Sequence, residues 1–126
     1  MPYHLDLEKL RRANRLRLPQ FRDKKGNLCH TGDDGKDWAL SRWGNAITGE
    51  LGEACNLIKK VERGDYTLDE VRIALAKELA DVVCYVDLLA CAADIDLSLA
   101  IVEKFNEVSK RVNSDVELEG WAGFGE

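Results

Sequence analysis

Residues 49–60, GELGEACNLIKK, carry apolar side chains at the spacing of an amphipathic helix. On a helical wheel of about 100° per residue, these apolar side chains share one arc, which contains Leu51, Ala54, Leu57 and Ile58. Glu50 lies inside that arc, and Glu53 lies on its edge, at about −60° from Glu50. The stretch therefore predicts a helix, and it places two carboxylates on the side that ought to be buried.

The helix around this stretch and the one that follows it form the predicted centre of the fold. The helical pattern runs without proline from about Asp37 to Arg63, and Gly64 followed by Asp65 predicts its end. Residues 67–70, TLDE, match a capping box, which opens a second helix that reaches about Ala93. A connection this short favours antiparallel packing of the two helices.

Two shorter helices are predicted on either side of this pair. Asp96 can cap a helix over 97–113, LSLAIVEKFNEVSKRVN, whose apolar residues fall on one side. Residues 5–17 predict an N-terminal helix that ends before Pro19, followed by a turn-rich loop with a brief hairpin. The pattern predicts an all-α fold, an antiparallel helical bundle.

Length and composition predict one domain. The 126 residues are 45% apolar and 33% charged, which suits a single domain over 1–126 with a modest core. Its helical core covers about 37–113, with an N-terminal helix and loop over 1–36 and a tail over 114–126. The four cysteines form no CxxC pair, and three lie among apolar neighbours in helical patterns, which predicts reduced, buried thiols.

Charge and hydropathy indicate where the protein works and what it does not bind. No apolar run approaches the roughly 20 residues that cross a bilayer, and the N-terminus lacks the apolar segment of a secretory signal. These features predict a cytoplasmic protein without membrane contact. A net charge of −5 argues against nucleic acid as a partner, because phosphate-backbone binders carry a basic stripe.

The second long helix repeats the arrangement of carboxylates in the first. Glu78 lies inside its apolar arc, and Asp81 lies at about −60° from Glu78. Two solvated carboxylates three residues apart are common on helices, but here both pairs border apolar arcs that carry no cation. Because burying unpaired carboxylates is costly, the E-x-x-E pair Glu50 and Glu53 and the E-x-x-D pair Glu78 and Asp81 indicate a bound partner of opposite charge.

The chemistry of the donors favours a hard divalent cation. All four candidates are carboxylates, and neither His4 nor His30 belongs to these helices, which favours Mg²⁺ or Mn²⁺ over zinc or copper. The Glu-x-x-His elements of di-iron bundles are missing from the two helices. Mg²⁺ sites with few protein ligands are completed by water and substrate phosphates, so the motif predicts a phosphorylated substrate.

Three segments resemble a known family. GELGEACNLIKKVERGD at 49–65, KELADVVCYVDLLA at 77–90 and KFNEVSKR at 104–111 resemble the MazG-like nucleoside triphosphate pyrophosphohydrolases of the all-α NTP pyrophosphatase superfamily. The two acidic pairs, separated by 24 residues, carry most of the specificity, and the resemblance covers roughly 36–113. One such domain is present, as in the short members of the family.

The resemblance implies an activity and a set of site residues. The activity is hydrolysis of a (deoxy)nucleoside triphosphate to the monophosphate and pyrophosphate, with Glu50, Glu53, Glu78 and Asp81 as Mg²⁺ ligands and catalytic residues. Glu53, at the polar edge, is the first candidate for general base. Candidate substrate-binding residues, for phosphate or for base stacking, are Trp38, Lys59, Lys60, Tyr85, Lys104, Asn106 and Arg111. Lys59 and Lys60 face away from Glu50 on the wheel, and Tyr85 lies in an apolar arc, where a core role is the simpler interpretation.

The apolar surface of the second helix bears on oligomerisation, and two alternative functions remain open. The second helix is apolar well beyond one stripe, which favours a homo-oligomer, a dimer or tetramer, as the family resemblance also implies. Its additional apolar residues are Ile73, Val83, Cys84, Leu88 and Cys91. An all-α dUTPase would use the same chemistry on a narrower substrate. A non-enzymatic oligomeric interaction module would instead pair its carboxylates with basic side chains.

Overall fold

A computed structural model describes residues 4–32, 35 and 37–119 of the chain. The described residues form four α-helices and no β-strand, which confirms the all-α prediction. The helices are α1 (Leu7–Arg17), α2 (Leu40–Glu62), α3 (Leu68–Ala92) and α4 (Leu97–Arg111), with a short 3₁₀ helix at Leu18–Gln20. Within the same ranges, no helix combines the length and apolar character needed to cross a membrane.

Helices α2 and α3 form an antiparallel hairpin, and its turn is built as the sequence predicts. Gly64 has a φ of +90°, a backbone conformation that suits glycine because it lacks a Cβ. The Thr67 side chain accepts a hydrogen bond from the backbone N–H of Glu70 at 3.2 Å, and the Glu70 carboxylate accepts one from the backbone N–H of Thr67 at 2.9 Å. The capping box therefore sets the start of α3.

A buried polar network holds α1 against α3. The Asp87 carboxylate is 1% exposed and accepts hydrogen bonds from Arg11 Nε and Asn14 Nδ2, each at 3.0 Å. Asn14 also donates to the backbone carbonyl of Cys84 at 3.3 Å, and Arg11 Nη2 donates to that of Ile95 at 3.2 Å. Every charge in the network has a partner, so burying Asp87 is tolerable. Part of the additional apolar surface predicted on α3 is thus covered by α1.

Element ends differ from the predictions by a few residues. Helix α2 starts at Leu40 rather than Asp37, because Asp37 forms an antiparallel bridge with Thr31 and the Trp38 backbone N–H donates to the His30 carbonyl at 3.2 Å. The brief hairpin predicted in the preceding loop is present as a second bridge, between Arg22 and Leu28. The predicted cap at Asp96 is confirmed, since its side chain accepts from the Leu99 backbone N–H.

The core of the single chain is smaller than the helical wheels predict. Among the described residues, the buried apolar side chains are Trp43, Ala54, Val71 and Ala90. Leu51, Ile58 and Leu79 were expected in the core, but each is more than 40% exposed. The prediction of buried thiols is wrong for Cys55, which is exposed, whereas Cys84 and Cys91 are half-buried and no disulfide forms. These exposed residues lie on apolar sides of the helical wheels, and no other described helix or loop packs over those sides.

The chain after α4 turns back along that helix. The Leu118 backbone N–H donates to Asn106 Oδ1 at 2.8 Å, and Asn106 Nδ2 donates to the Leu118 carbonyl at 3.0 Å. Asn113, with a φ of +60°, makes the turn. Gly120 to Glu126, the greater part of the predicted tail, lie outside the described residues.

Candidate metal site

The hairpin brings three of the four predicted carboxylates together. Glu50 on α2 and Glu78 and Asp81 on α3 each offer an oxygen atom, and these three atoms lie within 4.8 Å of one another. Three-residue spacing places Glu78 and Asp81 one turn apart on the same side of α3, facing α2 at the level of Glu50. The cluster is accessible, because Glu50 and Glu78 are half-buried and Asp81 is exposed.

Glu53 lies at the edge of this group and is coupled to it. Its side chain is exposed and does not belong to the set of three converging oxygens. Its pKa is raised above the ordinary value, first because its carboxyl group shares a hydrogen bond with Glu78, and further by the negative charge of Glu78, by burial and by the charge of Asp81. The four acids therefore act as one electrostatic cluster.

Glu78 differs from the other three acids in having a shielded carboxylate oxygen as well as a raised pKa. Its Oε2 atom is shielded from solvent and has no hydrogen-bond partner among the residues that the structure describes. Its pKa is raised, chiefly because its carboxyl group shares a hydrogen bond with Glu50, then by burial and by the charges of Glu50 and Asp81, although a hydrogen bond with Glu53 opposes the rise. A shielded carboxylate oxygen without a partner is uncommon in folded proteins, so this atom fits an external ligand.

Cationic side chains of the described residues do not neutralise the cluster. The ion pairs of the described chain all lie elsewhere, and none includes Glu50, Glu53, Glu78 or Asp81. The sequence-predicted phosphate contacts are not at the cluster either. Lys59 and Lys60 follow Glu50 by nine and ten residues, which is about 14–15 Å along a helix. Lys104, Asn106 and Arg111 lie on α4, which packs on α1 and makes no extensive contact with α2.

An aromatic group lies beside the acidic cluster. The His30 ring stacks on Trp43 with centroids 5.4 Å apart, and Trp38 contacts both rings at 4.7 and 4.9 Å. Phe21 meets the edge of His30, and Tyr85 lies 6.2 Å from Trp43. The loop between α1 and α2 therefore folds back onto the hairpin. Trp43 is 2% exposed and serves as core, whereas Trp38 and Tyr85 are half-buried.

Electrostatics and hydrogen bonding distinguish this aromatic group from an ordinary core. Burial raises the pKa of the Tyr85 hydroxyl, and the charges of Glu50 and Asp81 raise it further, which places Tyr85 next to the acids. His30 Nδ1, Trp38 Nε1 and Trp43 Nε1 are shielded, and none of the three has a hydrogen-bond partner within the described part of the chain. Burial also lowers the pKa of His30 below its ordinary value, which favours the neutral ring. No local pattern around His30 predicts that its ring would join Trp38 and Trp43.

The arrangement suits a hard divalent cation. A set of carboxylate oxygens without nitrogen or sulfur donors is typical of Mg²⁺ or Mn²⁺ sites. The unpartnered Glu78 oxygen and the absence of ion pairs to these acids among the described residues both agree with such a cation. Comparisons with protein-family models, with curated proteins and with solved structures give no match to this chain.

Proposed function

We propose that the protein hydrolyses (deoxy)nucleoside triphosphates to the nucleoside monophosphate and pyrophosphate in a Mg²⁺-dependent reaction. The observation that carries this proposal is the convergence of one carboxylate oxygen each from Glu50, Glu78 and Asp81 within 4.8 Å of one another, and the shielded, unpartnered Glu78 Oε2 supports it. A cation held by so few protein ligands keeps positions for water and phosphate oxygens. The type of reaction comes from the resemblance of the two acidic pairs to the MazG-like enzymes.

In this proposal each acid has its own task. Glu50, Glu78 and Asp81 would hold the cation, which when bound would offset phosphate charge and lower the pKa of a water molecule. Glu53, exposed at the edge of the cluster, would accept the proton of the attacking water. Its raised pKa suits that role, because a base is most effective when its pKa approaches the working pH. The water oxygen would bond to the α-phosphorus, the bond between the α-phosphorus and the bridging oxygen would break, and pyrophosphate would leave with that oxygen.

The aromatic group would position the base of the nucleotide. Trp38 is half-buried, its Nε1 lacks a partner, and the Arg42 guanidinium lies 5.6 Å from its ring centroid. Trp43 is too deeply buried to contact substrate, and its ring would hold Trp38 in place through their mutual contact. Tyr85 bridges the aromatic group and the acids, so a base beside Trp38 would bring its phosphates toward Glu50.

Changing Trp38 to alanine is expected to raise KM much more than it lowers kcat. Base stacking on an aromatic ring contributes about 1–3 kcal/mol, so KM should rise roughly 5- to 150-fold. Steady-state kinetics of Trp38→Ala measure this, with Tyr66→Ala as control, because Tyr66 is an exposed aromatic at the α2–α3 turn. Equal kinetic constants for Trp38→Ala and wild type would remove Trp38 from the base site.

A screen of pyrophosphate release tests the activity. The purified protein is incubated with each ribo- and deoxyribonucleoside triphosphate, dUTP included, with Mg²⁺, with Mn²⁺ and with EDTA. We expect pyrophosphate from at least one substrate with either metal and none with EDTA. Release from dUTP alone would select the dUTPase-type alternative. No release from any substrate would favour the non-enzymatic module. That alternative predicts ion pairs with the acids of the cluster, but no ion pair between described residues includes any of them.

A further inference from the structure

Helix α1 and the loop after it are the cationic part of the chain. Residues 9–25 carry eight of the 18 lysines and arginines and a single acid, Asp23. A nucleoside triphosphate brings several negative charges to a site that is already acidic, so protein cations are expected beside it. Lys59 and Lys60, two of the predicted phosphate contacts, lie about 14–15 Å beyond Glu50 along α2. The cationic segment is therefore the better place to look for a phosphate contact.

Helix α1 runs antiparallel to α3 and ends beside the acidic cluster. Arg11 donates to the backbone carbonyl of Ile95, just beyond α3, and Asn14, one turn later on α1, donates to that of Cys84. Later residues of α1 thus meet earlier residues of α3. One further turn of α1 covers about 4.5 Å, the same distance that separates Cys84 from Asp81 on α3. The end of α1 therefore reaches the level of Asp81.

Arg17 is the last residue of α1, and its side chain is exposed. Its guanidinium lies 5.3 Å from the centroid of the Phe21 ring, and Phe21 in turn meets the edge of His30 in the aromatic group. None of the ion pairs between described residues includes Arg17. The guanidinium thus borders the proposed base site, and no described carboxylate neutralises it.

The charge of Arg17 is felt next to the acids. Burial is the main cause of the raised pKa of the Tyr85 hydroxyl. The charges of Glu50 and Asp81 raise that pKa further, whereas the positive charge of Arg17 lowers it. Burial also raises the pKa of the Cys84 thiol, and Arg17 again opposes the rise. Tyr85 is therefore close both to Arg17 and to the acids.

We infer that Arg17 binds the α-phosphate of the nucleotide. The inference rests on the proposed function, which places the base beside Trp38 and the divalent cation at the acids. Tyr85 joins the aromatic group to the acids, and Arg17 lies at its level, where the phosphate nearest to the nucleoside would be held. A guanidinium stays protonated and donates paired hydrogen bonds to phosphate oxygens. Arg17 offsets the charge of the α-phosphate both in the substrate and in the monophosphate product.

Binding of nucleosides and of their monophosphates tests this assignment whether or not the protein turns over. Calorimetry with Mg²⁺ measures the affinity for each canonical ribo- and deoxyribonucleoside and for its 5′-monophosphate. Wild type should bind at least one monophosphate more tightly than its nucleoside. Arg17→Gln should weaken binding of that monophosphate roughly 10- to 150-fold, the usual range for a hydrogen bond to a charged group, and leave nucleoside affinity unchanged. Arg17→Lys keeps the charge without the paired donors and should fall between the two.

Arg12→Gln is the matched control, because Arg12 is an exposed arginine of the same helix whose partner is Glu8. Its monophosphate affinity should equal that of wild type. Equal affinities for Arg17→Gln and wild type would overturn the inference, and so would a wild type that binds no monophosphate more tightly than its nucleoside. A loss of nucleoside affinity as large as the loss of monophosphate affinity would also overturn it, because Arg17 would then shape the site without contacting phosphate.

Chemical modification supplies a test that needs no variant. Phenylglyoxal labelling followed by peptide mass spectrometry should show that the bound monophosphate slows modification of Arg17 and not of Arg12. Equal rates for Arg17 with and without the monophosphate would refute the contact. Failure of the proposed hydrolysis would appear separately, as a lack of pyrophosphate release in a protein that still shows the Arg17-dependent binding.

Discussion

Replacing Glu78 by glutamine is expected to lower kcat by at least about 100-fold while leaving the helical content unchanged. Loss of groups that merely support metal ligands costs about 10- to 100-fold, and Glu78 is proposed as a ligand itself. Glutamine keeps the shape of the side chain but offers a neutral oxygen, so binding of the cation should weaken. Steady-state kinetics with saturating Mg²⁺, together with circular dichroism, measure both parts of this expectation.

Glu62→Gln is the matched control for this variant. Glu62 is an exposed glutamate at the last residue of α2, about three turns beyond Glu50, and it belongs to no cluster. The activity of the Glu62→Gln variant should equal that of wild type. If Glu78→Gln were as active as Glu62→Gln, the acidic cluster would not be the reaction centre.

A second large effect is expected on stability, because the clustered acids repel one another and a bound cation would relieve this repulsion. Metal-free Glu50→Gln is expected to melt at or above the temperature of metal-free wild type, since it removes one charge from the cluster. Mg²⁺ at 100 times its Kd should raise the unfolding free energy of wild type by about 2.7 kcal/mol, and that of the variant much less. Thermal melts with and without Mg²⁺ measure these differences. A clearly lower melting temperature for the metal-free variant would show that Glu50 has a structural partner instead.

The stability advantage of metal-free Glu50→Gln over metal-free wild type should depend on pH, because the pKa values of Glu53 and Glu78 are raised. An acid whose pKa is higher in the folded than in the unfolded chain favours folding below its unfolded pKa, and this contribution is lost as pH rises through the folded pKa. The metal-free advantage of Glu50→Gln should therefore be present at pH 7–8 and fade toward the ordinary glutamate value of 4.5. An advantage independent of pH would mean that charge repulsion is not its cause.

The parts of this fold that are local in sequence were predictable. Periodicity and capping residues predict α2, α3 and α4, and the capping box at Thr67 and the cap at Asp96 form as expected. The grouping of Glu50 with Glu78 and Asp81 was also predictable, because a short turn between two long helices leaves little choice of packing.

Features that depend on distant segments were not predictable. Asp87 looks like a solvated residue on α3, yet it is buried because Arg11 and Asn14 arrive from α1. His30 stacks on Trp43 only because the loop folds back. A helical wheel also cannot tell an apolar side covered within the chain from one left open, which explains the misplaced Leu51, Ile58 and Leu79.

Isotope transfer from water can show whether the α-phosphorus is the atom attacked in the proposed reaction. The reaction is run in ¹⁸O-labelled water with Mg²⁺ and the best substrate of the screen, and the products are resolved by mass spectrometry. We expect one labelled oxygen in the nucleoside monophosphate and unlabelled pyrophosphate. A labelled pyrophosphate, or a nucleoside diphosphate with labelled orthophosphate, would contradict it.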